Sequence, residues 1–262
     1  MKKLLIYGAG EKAILEIAQR GIQHDIPQTA YLTSTYSPQP NEKVEILHSF
    51  EQEQKNKQAH AQNFCVIETE SNKIHPAKLV QPTGNQQVVV NPPYPTMTTE
   101  ELDAIYDLPF QYLPHPKYKD KRIPAYEMIR FSVCLHRGCF GGCSFCTISA
   151  HQGKQIVSRS KASILRQIAT LKDLPEWKGN LSDLGGPSAN MYGMHGRNLK
   201  ACEKCKRPSC INPEICPNLN TDHSAILDIY RSVDALPEIK KSFIGSGVRY
   251  DLLLHYSKDE KT

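Results

Sequence analysis

The stretch that decides the fold is Gly138-Cys139-Phe140-Gly141-Gly142-Cys143-Ser144-Phe145-Cys146, called here the cysteine loop. Its cysteines have the spacing C-x3-C-x2-C and follow directly on a predicted strand, residues 130–135. Three thiolates on one tight loop can bind three irons of a four-iron cluster, which leaves the fourth iron open. The glycines allow the loop to curl round a bulky inorganic core. The stretch therefore predicts a cluster-binding loop at a strand end, where βα folds place active sites.

The sequence after the cysteine loop alternates between helix and strand patterns. Residues 161–174 and 224–236 are predicted helices, and residues 180–184 and 240–245 are predicted strands. With the strand at 130–135, the order is strand-helix-strand-helix-strand. Repeating βα units favour a parallel sheet or a barrel, so the expected fold class is α/β.

A second group of four cysteines follows the second predicted strand. Its members are Cys202, Cys205, Cys210 and Cys216. An auxiliary iron–sulfur cluster and a structural zinc site both use four thiolates, but only one C-x2-C pair is present, so free or substrate-related thiols stay open as an alternative. His195 and His223 are candidate replacement ligands. Cys65 and Cys134 lie outside both groups, and we interpret Cys134 as a buried thiol on its strand.

The composition narrows the class of protein. The chain has 262 residues, 39% of them hydrophobic and 23% charged, with a formal net charge of +5. This excludes a largely disordered chain, and the mild positive charge carries no specific signal for nucleic acid. No apolar run is long enough for a membrane span, and the apolar start is too short for a signal peptide. Nine cysteines without a secretion signal favour metal binding over disulfides and suggest a cytoplasmic protein.

The first part of the chain gives weaker signals. Residues 3–7 are predicted to form a buried strand and residues 11–20 an amphipathic helix that ends at Gly21. Between them, Gly8-Ala9-Gly10-Glu11-Lys12-Ala13 fits the dinucleotide fingerprint G-x-G-x-x-A, although the acidic residue expected about 20 positions later is missing. Residues 22–121 are proline-rich in places and are expected to be largely irregular.

C-x3-C-x2-C spacing with an aromatic residue before the last cysteine resembles the signature of the radical S-adenosylmethionine (SAM) enzymes. This resemblance implies that Cys139, Cys143 and Cys146 hold a [4Fe–4S] cluster whose open iron binds SAM. It also implies an electron donor such as flavodoxin or ferredoxin. Cleavage of SAM would then yield a 5′-deoxyadenosyl radical that takes a hydrogen atom from the substrate.

Further motifs resemble one branch of that superfamily, the YgiQ-type radical SAM proteins. They are residues 122–132, 137–143, 182–192, 220–223 and 246–251. The resemblance implies an enzyme of unassigned reaction and unknown substrate, with a partial radical SAM (β/α) barrel as its fold. It covers most of the chain and is weakest over residues 22–80.

The same resemblance implies a domain layout. Residues 1–21 would be the end of an N-terminal α/β domain, residues 22–121 an irregular linker region, and residues 122–262 the first part of the barrel, with a Cys-rich insertion at 191–219. We therefore expect a fragment truncated at both ends. A half barrel exposes strand edges and an apolar face, so we expect the isolated chain to be poorly stable.

The SAM-binding residues implied by the resemblance lie at two strand ends. Gly185 and Gly186 match a glycine-rich turn whose backbone approaches the amino group of SAM. Arg249 follows the third strand, where a guanidinium could pair with the SAM carboxylate, or equally with a surface acid. The superfamily turn often ends in an acid, here replaced by Pro187, and whether Asp183 takes that role is open.

The alternative is a non-catalytic module that binds zinc or iron–sulfur clusters at its two cysteine groups. Cys134 could supply a fourth thiolate to the cysteine loop and close the site. Zinc sites favour C-x2-C pairs, however. The cysteines match the radical SAM pattern, and so do the residues on either side of the cysteine loop. We therefore favour the radical SAM interpretation.

Overall fold

The computed structural model describes residues 3–119 and 121–259, with side chains as far as residue 255. The strands are β1 (Leu4–Ile6), β2 (Thr29–Thr33), β3 (Val44–Ile46), β4 (Lys78–Thr83), β5 (Gln86–Val90), β6 (Ser132–Cys134), β7 (His136–Arg137), β8 (Val157–Ser158), β9 (Asn180–Leu181), β10 (Asp183–Gly185) and β11 (Lys241–Ser242). The helices are α1 (Glu11–Arg20), α2 (Phe50–Lys55), α3 (Lys57–Ser71), α4 (Thr99–Tyr106), α5 (Pro124–Ile129), α6 (Ile148–Gln152), α7 (Lys161–Leu171), α8 (Leu199–Glu203), α9 (Ser224–Asp234) and α10 (Tyr250–Asp259). Two short 3-10 helices span Pro116–Tyr118 and Ala189–Met191.

The described chain divides into two compact units, each built from separate stretches of sequence. Unit 1 consists of residues 3–96, 140–154 and 198–213. Unit 2 consists of residues 97–119, 121–139, 155–197 and 214–259. Most of the cysteine loop and most of the second cysteine group therefore belong to the same unit as the N-terminal sheet.

Unit 1 is organised round a five-stranded sheet in the order β1-β2-β5-β4-β3. The pairs β1–β2, β2–β5 and β4–β5 are antiparallel, and only β3 runs parallel to its neighbour β4. Strands β4 and β5 form a hairpin whose two-residue turn contains Gly84 at φ +58°. A glycine accepts this left-handed backbone without steric cost, and so favours a tight turn.

The expectation that residues 22–121 are irregular is wrong for much of that range. Four of the five sheet strands lie there, together with α2, α3 and α4. The strands are too short to show a clear alternation of apolar and polar residues, and Pro82 lies inside β4, where a proline argues against a strand. The sheet also depends on pairing between segments that are distant in sequence. Helix α4 begins after Thr98, which forms a capping box with Glu101. The domain boundaries at residues 21 and 121 remain a prediction.

Strand β1 is not the buried strand that its apolar sequence predicts. It forms one edge of the unit 1 sheet, and Leu5 is 62% exposed. An apolar run of a few residues does not distinguish an edge strand from a central one, because burial depends on neighbours that are distant in sequence. Helix α1 forms as predicted and is C-capped by Gly21, whose amide donates to Ile17 O at 2.8 Å.

The turn between β1 and α1 lacks the context of a dinucleotide site. Such sites need a βαβ unit with parallel strands, whereas β1 and β2 are antiparallel. Gln28 instead fills the turn, and its side-chain amide donates to Tyr7 O at 2.7 Å and to Ala9 O. The dinucleotide interpretation is therefore not supported.

Unit 2 contains the βα units that the sequence predicts after residue 130. Strand β10 pairs in parallel with β6, and β9 pairs in parallel with β11. Backbone hydrogen bonds from Ser182 N to Phe131 O (3.0 Å) and from Leu184 N to Phe243 O (2.8 Å) continue the two pairings. Residues 180–185 thus lie between the other two strand segments, in the order 131–134, 180–185, 241–243.

Helices α7 and α9 supply the apolar faces that cover these strands. Each predicted helix forms, but ends two or three residues earlier than its pattern suggests. Their buried residues join the strand residues in one core, comprising Val133, Leu135, Ile164, Ile168, Leu171, Leu181, Leu184, Tyr192, Ile226, Ile229, Val233 and Ile239. Full burial of a Leu or Ile side chain stabilises a fold by roughly 1.5–3 kcal/mol, so this core dominates the stability of unit 2.

The architecture is therefore mixed α/β with small sheets. Within residues 3–119 and 121–259 the strands form no closed barrel. No helix in the same ranges combines the length and the apolar character needed to cross a membrane.

Candidate functional site

Two glycines in the left-handed region determine the shape of the cysteine loop. At Gly138 (φ +86°), a Cβ would overlap the carbonyl oxygen of Gln155 and lie 2.9 Å from its carbonyl carbon. At Gly142 (φ +59°), a Cβ would lie 2.8 Å from Pro208 O. The faces that lack a Cβ therefore meet neighbouring backbone, rather than the space for an inorganic core that the sequence suggested. Both positions need glycine for conformation and for contact.

The three thiols of the cysteine loop are each half-buried. Cys139 belongs to unit 2, and Cys143 and Cys146 belong to unit 1, where Cys146 N donates to Cys143 O at 3.0 Å across a tight turn. Throughout the described ranges, no three Cys, His, Asp or Glu side chains lie close enough together to hold a metal ion. Thiolates are the usual ligands of iron–sulfur clusters, so the donor chemistry fits.

The second cysteine group is divided by the fold. Cys202, Cys205 and Cys210 lie in the part of unit 1 that we call the Cys-rich segment, residues 198–213, whereas Cys216 lies in unit 2. Helix α8 carries Cys202 and is N-capped by Asn198, whose side chain accepts from Ala201 N. The structure forms no disulfide among the nine cysteines, all of which lie in the described ranges.

The two histidines suggested as replacement ligands have other partners within unit 2. Exposed His195 uses Nδ1 for a 3.0 Å hydrogen bond to Gly193 O. His223 is only 3% exposed and joins a buried polar network described below. Neither arrangement brings an imidazole into a group with the cysteines.

Gly185 and Gly186 end strand β10 in a tightly packed position. A Cβ on Gly185 would overlap Ser246 Oγ, and a Cβ on Gly186 would lie 2.6 Å from His136 Nε2. Neither glycine has a positive φ, so here it is space, not backbone conformation, that demands glycine. Their role in seating SAM stays a prediction.

Asp183 links two of the motifs. Its Oδ1 accepts hydrogen bonds from both the amide and the hydroxyl of Ser246, each at 3.1 Å. The carboxylate therefore ties the end of strand β10 to the turn that precedes Arg249. This is a structural role for Asp183, which the sequence left open.

A buried asparagine, not anticipated from the sequence, holds the backbone of Arg249. Asn190 is 4% exposed; its Oδ1 accepts from Arg249 N (2.8 Å) and its Nδ2 donates to Arg249 O (2.9 Å). The second Nδ2 hydrogen faces His223 Nε2 at 3.1 Å, and His223 Nδ1 lies 2.8 Å from Thr221 O. These contacts assign a neutral imidazole that donates from Nδ1 and accepts at Nε2. Three sequence motifs thus meet in one network.

The Arg249 side chain is already engaged by an acid of its own loop. Its Nε and Nη2 contact the two carboxylate oxygens of Asp251 at 3.1 and 2.6 Å. Hydrogen bonding from the guanidinium holds the pKa of Asp251 below its usual range. A SAM carboxylate would therefore compete with Asp251 for this guanidinium, or share it.

Cys134 is half-buried in unit 2 rather than fully buried. Its thiol donates to His136 O at 3.2 Å and is hydrogen-bonded to Tyr106. Burial of Tyr106, together with the neighbouring thiol, raises the pKa of the tyrosine hydroxyl to about 12. The contacts account for Cys134 without metal binding.

Two buried histidines should make the free energy of unfolding depend on pH. His136 and His223 are 0% and 3% exposed, and burial lowers the pKa of each below its ordinary value of about 6.5 because it disfavours the charged imidazolium. The unfolded chain thus binds more protons than the folded chain below pH 6.5. We expect the free energy of unfolding to be constant above that pH and to fall below it, by at most about 1.4 kcal/mol per pH unit for each histidine.

Urea unfolding followed between pH 7.5 and 5.5 checks this expectation. A His223→Gln variant should have a shallower slope below pH 6.5, while His75→Gln, at an exposed position, should keep the slope of the unchanged chain. Equal slopes in all three proteins would contradict the account.

Comparison with known proteins defines the class. The family model described as radical SAM N-terminal matches residues 2–132, which is half of the chain. This matched region ends before Cys139, so it does not include the cysteine loop. No solved structure gives a significant match.

Curated relatives narrow the class to one family. A UPF0313 protein of Bacteroides thetaiotaomicron is 58% identical over 99% of the chain, and one of Methanocella arvoryzae is 43% identical over 96%. The UPF0313 protein YgiQ of Salmonella typhimurium is 46% identical over 82% of the chain. The chain therefore belongs to the YgiQ-type, or UPF0313, family of radical SAM proteins. It spans 45%, 43% and 30% of the lengths of these three relatives.

Proposed function

We propose that Cys139, Cys143 and Cys146 hold a [4Fe–4S] cluster whose fourth iron binds SAM. The observation that carries this proposal is the C-x3-C-x2-C spacing in a chain that belongs to the radical SAM family. When bound and reduced, such a cluster supplies the electron that cleaves SAM and starts radical chemistry. Three thiolate donors within eight residues suit this cluster, because a closed site would need a fourth.

The seat for SAM is proposed at the end of the parallel strands of unit 2. Gly185 and Gly186 would present backbone to the amino group, and Arg249 would pair with the carboxylate. The Asn190 network supports this role for Arg249, because two hydrogen bonds fix the backbone of a residue whose guanidinium already pairs with a carboxylate, that of Asp251.

The rest of the proposal follows from family membership. The parallel strands of unit 2 would form part of a (β/α) barrel, preceded by the end of an α/β domain. The protein would be a cytoplasmic enzyme of unknown reaction and substrate that receives electrons from a flavodoxin or ferredoxin. Cys202, Cys205, Cys210 and Cys216 would form a second site for an iron–sulfur cluster or zinc if the chain brought them together.

Anaerobic reconstitution with iron and sulfide tests the proposal. We expect a brown protein with four irons per cysteine loop and, after reduction, an electron paramagnetic resonance signal that changes when SAM is added. A colourless protein that binds only zinc at both cysteine groups would favour the non-catalytic module instead.

The proposed role of Arg249 makes a separate prediction. Arg249→Gln removes a bidentate, charge-assisted contact, so we expect SAM to bind the reconstituted protein roughly 10- to 100-fold more weakly. Equilibrium dialysis with labelled SAM measures this. Arg122→Gln is the matched control, because Arg122 also forms an ion pair in unit 2, with Glu127, on the exposed surface. Unchanged SAM affinity in Arg249→Gln would contradict the role.

A further inference from the structure

Ser209 connects the Cys-rich segment to the cysteine loop inside unit 1. The side chain is 2% exposed, and its hydroxyl donates to Gly141 O at 2.8 Å. The same oxygen accepts from Ile211 N (3.1 Å) and Asn212 N (3.0 Å). A serine hydroxyl has one hydrogen and two lone pairs, so its hydrogen-bonding capacity is fully used.

Two neighbouring contacts reinforce this connection. Cys210 N donates to Phe140 O at 3.0 Å, next to the bond from Ser209 to Gly141. Gly142 packs so closely that a Cβ would lie 2.8 Å from Pro208 O and 2.9 Å from Ser209 Cβ. Residues 140–142 therefore lie directly against residues 208–210, with backbone hydrogen-bonding groups satisfied across the contact.

A buried lysine makes a second connection beyond the other end of the cysteine loop. Lys154 follows helix α6, which follows the loop, and is 6% exposed. Its Nζ donates to Arg207 O at 2.6 Å and lies 3.8 Å from Cys205 Sγ. A buried ammonium needs such acceptors, so Lys154 fixes residues 205–207 as Ser209 fixes residues 208–210.

We propose that residues 205–210 act as a latch that holds the cysteine loop in a shape able to take its cluster, with Ser209 and Lys154 as positioning residues. This inference rests on the proposed cluster site, but it gives the Cys-rich segment a role that needs no second metal. The latch contacts the loop before Cys143 and again after α6. It thereby restricts the backbone on both sides of Cys143 and Cys146, which lowers the conformational entropy lost when the cluster binds.

Hydrogen exchange on the chain without cluster tests the latch directly. We expect Ser209→Ala and Lys154→Met to increase exchange of the amides in residues 140–146 about tenfold, because each removes at least one buried hydrogen bond. Ser71→Ala is the matched control, since it also loses a hydroxyl-to-carbonyl bond in unit 1, to Glu68 O. Circular dichroism identifies which variants fold, and Lys154→Met decides the test if Ser209→Ala does not fold.

A second measurement uses the unchanged protein. Loading the cluster should increase the protection of residues 205–210, because the latch and the loop stabilise each other, and the Ser209→Ala variant should lose iron to a chelator about tenfold faster. Unchanged exchange of residues 140–146 in the folded variants, or unchanged protection of residues 205–210 on loading, would overturn the latch. Failure of the unchanged protein to bind iron would instead contradict the proposed function, while exchange without cluster still tests the latch.

Discussion

Cys143→Ala should bind iron far more weakly than the unchanged chain and should give no SAM-sensitive signal after reconstitution. Loss of an outer partner of a metal ligand typically lowers affinity 10- to 100-fold, and removal of a ligand itself should cost more. With Cys143 replaced, only Cys139 and Cys146 remain to hold three irons. Iron and sulfide content, with the signal of the reduced protein, measure the effect.

Two control variants sharpen this result. Cys65→Ala changes an exposed thiol on α3 and should keep the full signal. Cys202→Ala should keep the SAM-sensitive cluster and lose only metal bound at the second group. A Cys143→Ala protein with normal iron content and an unchanged response to SAM would mean that the cluster lies elsewhere.

Gly138→Ala should lower the free energy of unfolding by roughly 2–5 kcal/mol. A left-handed backbone costs an L-residue about 1–2 kcal/mol, and forcing a methyl group against fixed atoms adds about 1–3 kcal/mol. At Gly138 the obstacle is the backbone carbonyl of Gln155, which cannot rotate away as a side chain could. Chemical denaturation of the chain without cluster gives the change.

Gly153→Ala separates the two contributions. Gly153 has the same φ of +86° as Gly138, but nothing lies within 4 Å of the position its Cβ would take. The variant should therefore lose only the conformational part, roughly 1–3 kcal/mol, because the Gly153 backbone (φ 86°, ψ 164°) lies in a region open almost only to glycine. Equal losses in the two variants would mean that the contact with Gln155 is unimportant.

Helical periodicity and family motifs predicted unit 2 well. Helices α7 and α9 appear where their patterns suggested, because each has a continuous apolar face of its own, and the three strand segments overlap their predicted ranges. Most of the unit 1 sheet was missed. Its strands have three to six residues, too few for a clear periodicity, and the one local hairpin signal is Gly84-Asn85 between β4 and β5.

Some residues of the candidate site can be predicted from the sequence and others cannot. Cysteine spacing and motif resemblance are enough to predict Cys139, Cys143 and Cys146 as cluster ligands, since these residues are close in sequence. Asn190 and Ser209 could not be found this way, because their importance comes from partners about 60 to 70 residues distant. A polar residue inside an otherwise apolar or glycine-rich motif, as Asn190 is, was the only available signal.

Mössbauer spectroscopy of the chain reconstituted with ⁵⁷Fe tests the central claim most directly. If three cysteines hold a [4Fe–4S] cluster with one open iron, addition of SAM should shift the absorption of one of the four irons of that cluster and leave every other iron unchanged. A spectrum in which SAM shifts no iron, or in which all four irons have the parameters of thiolate coordination, would contradict the account.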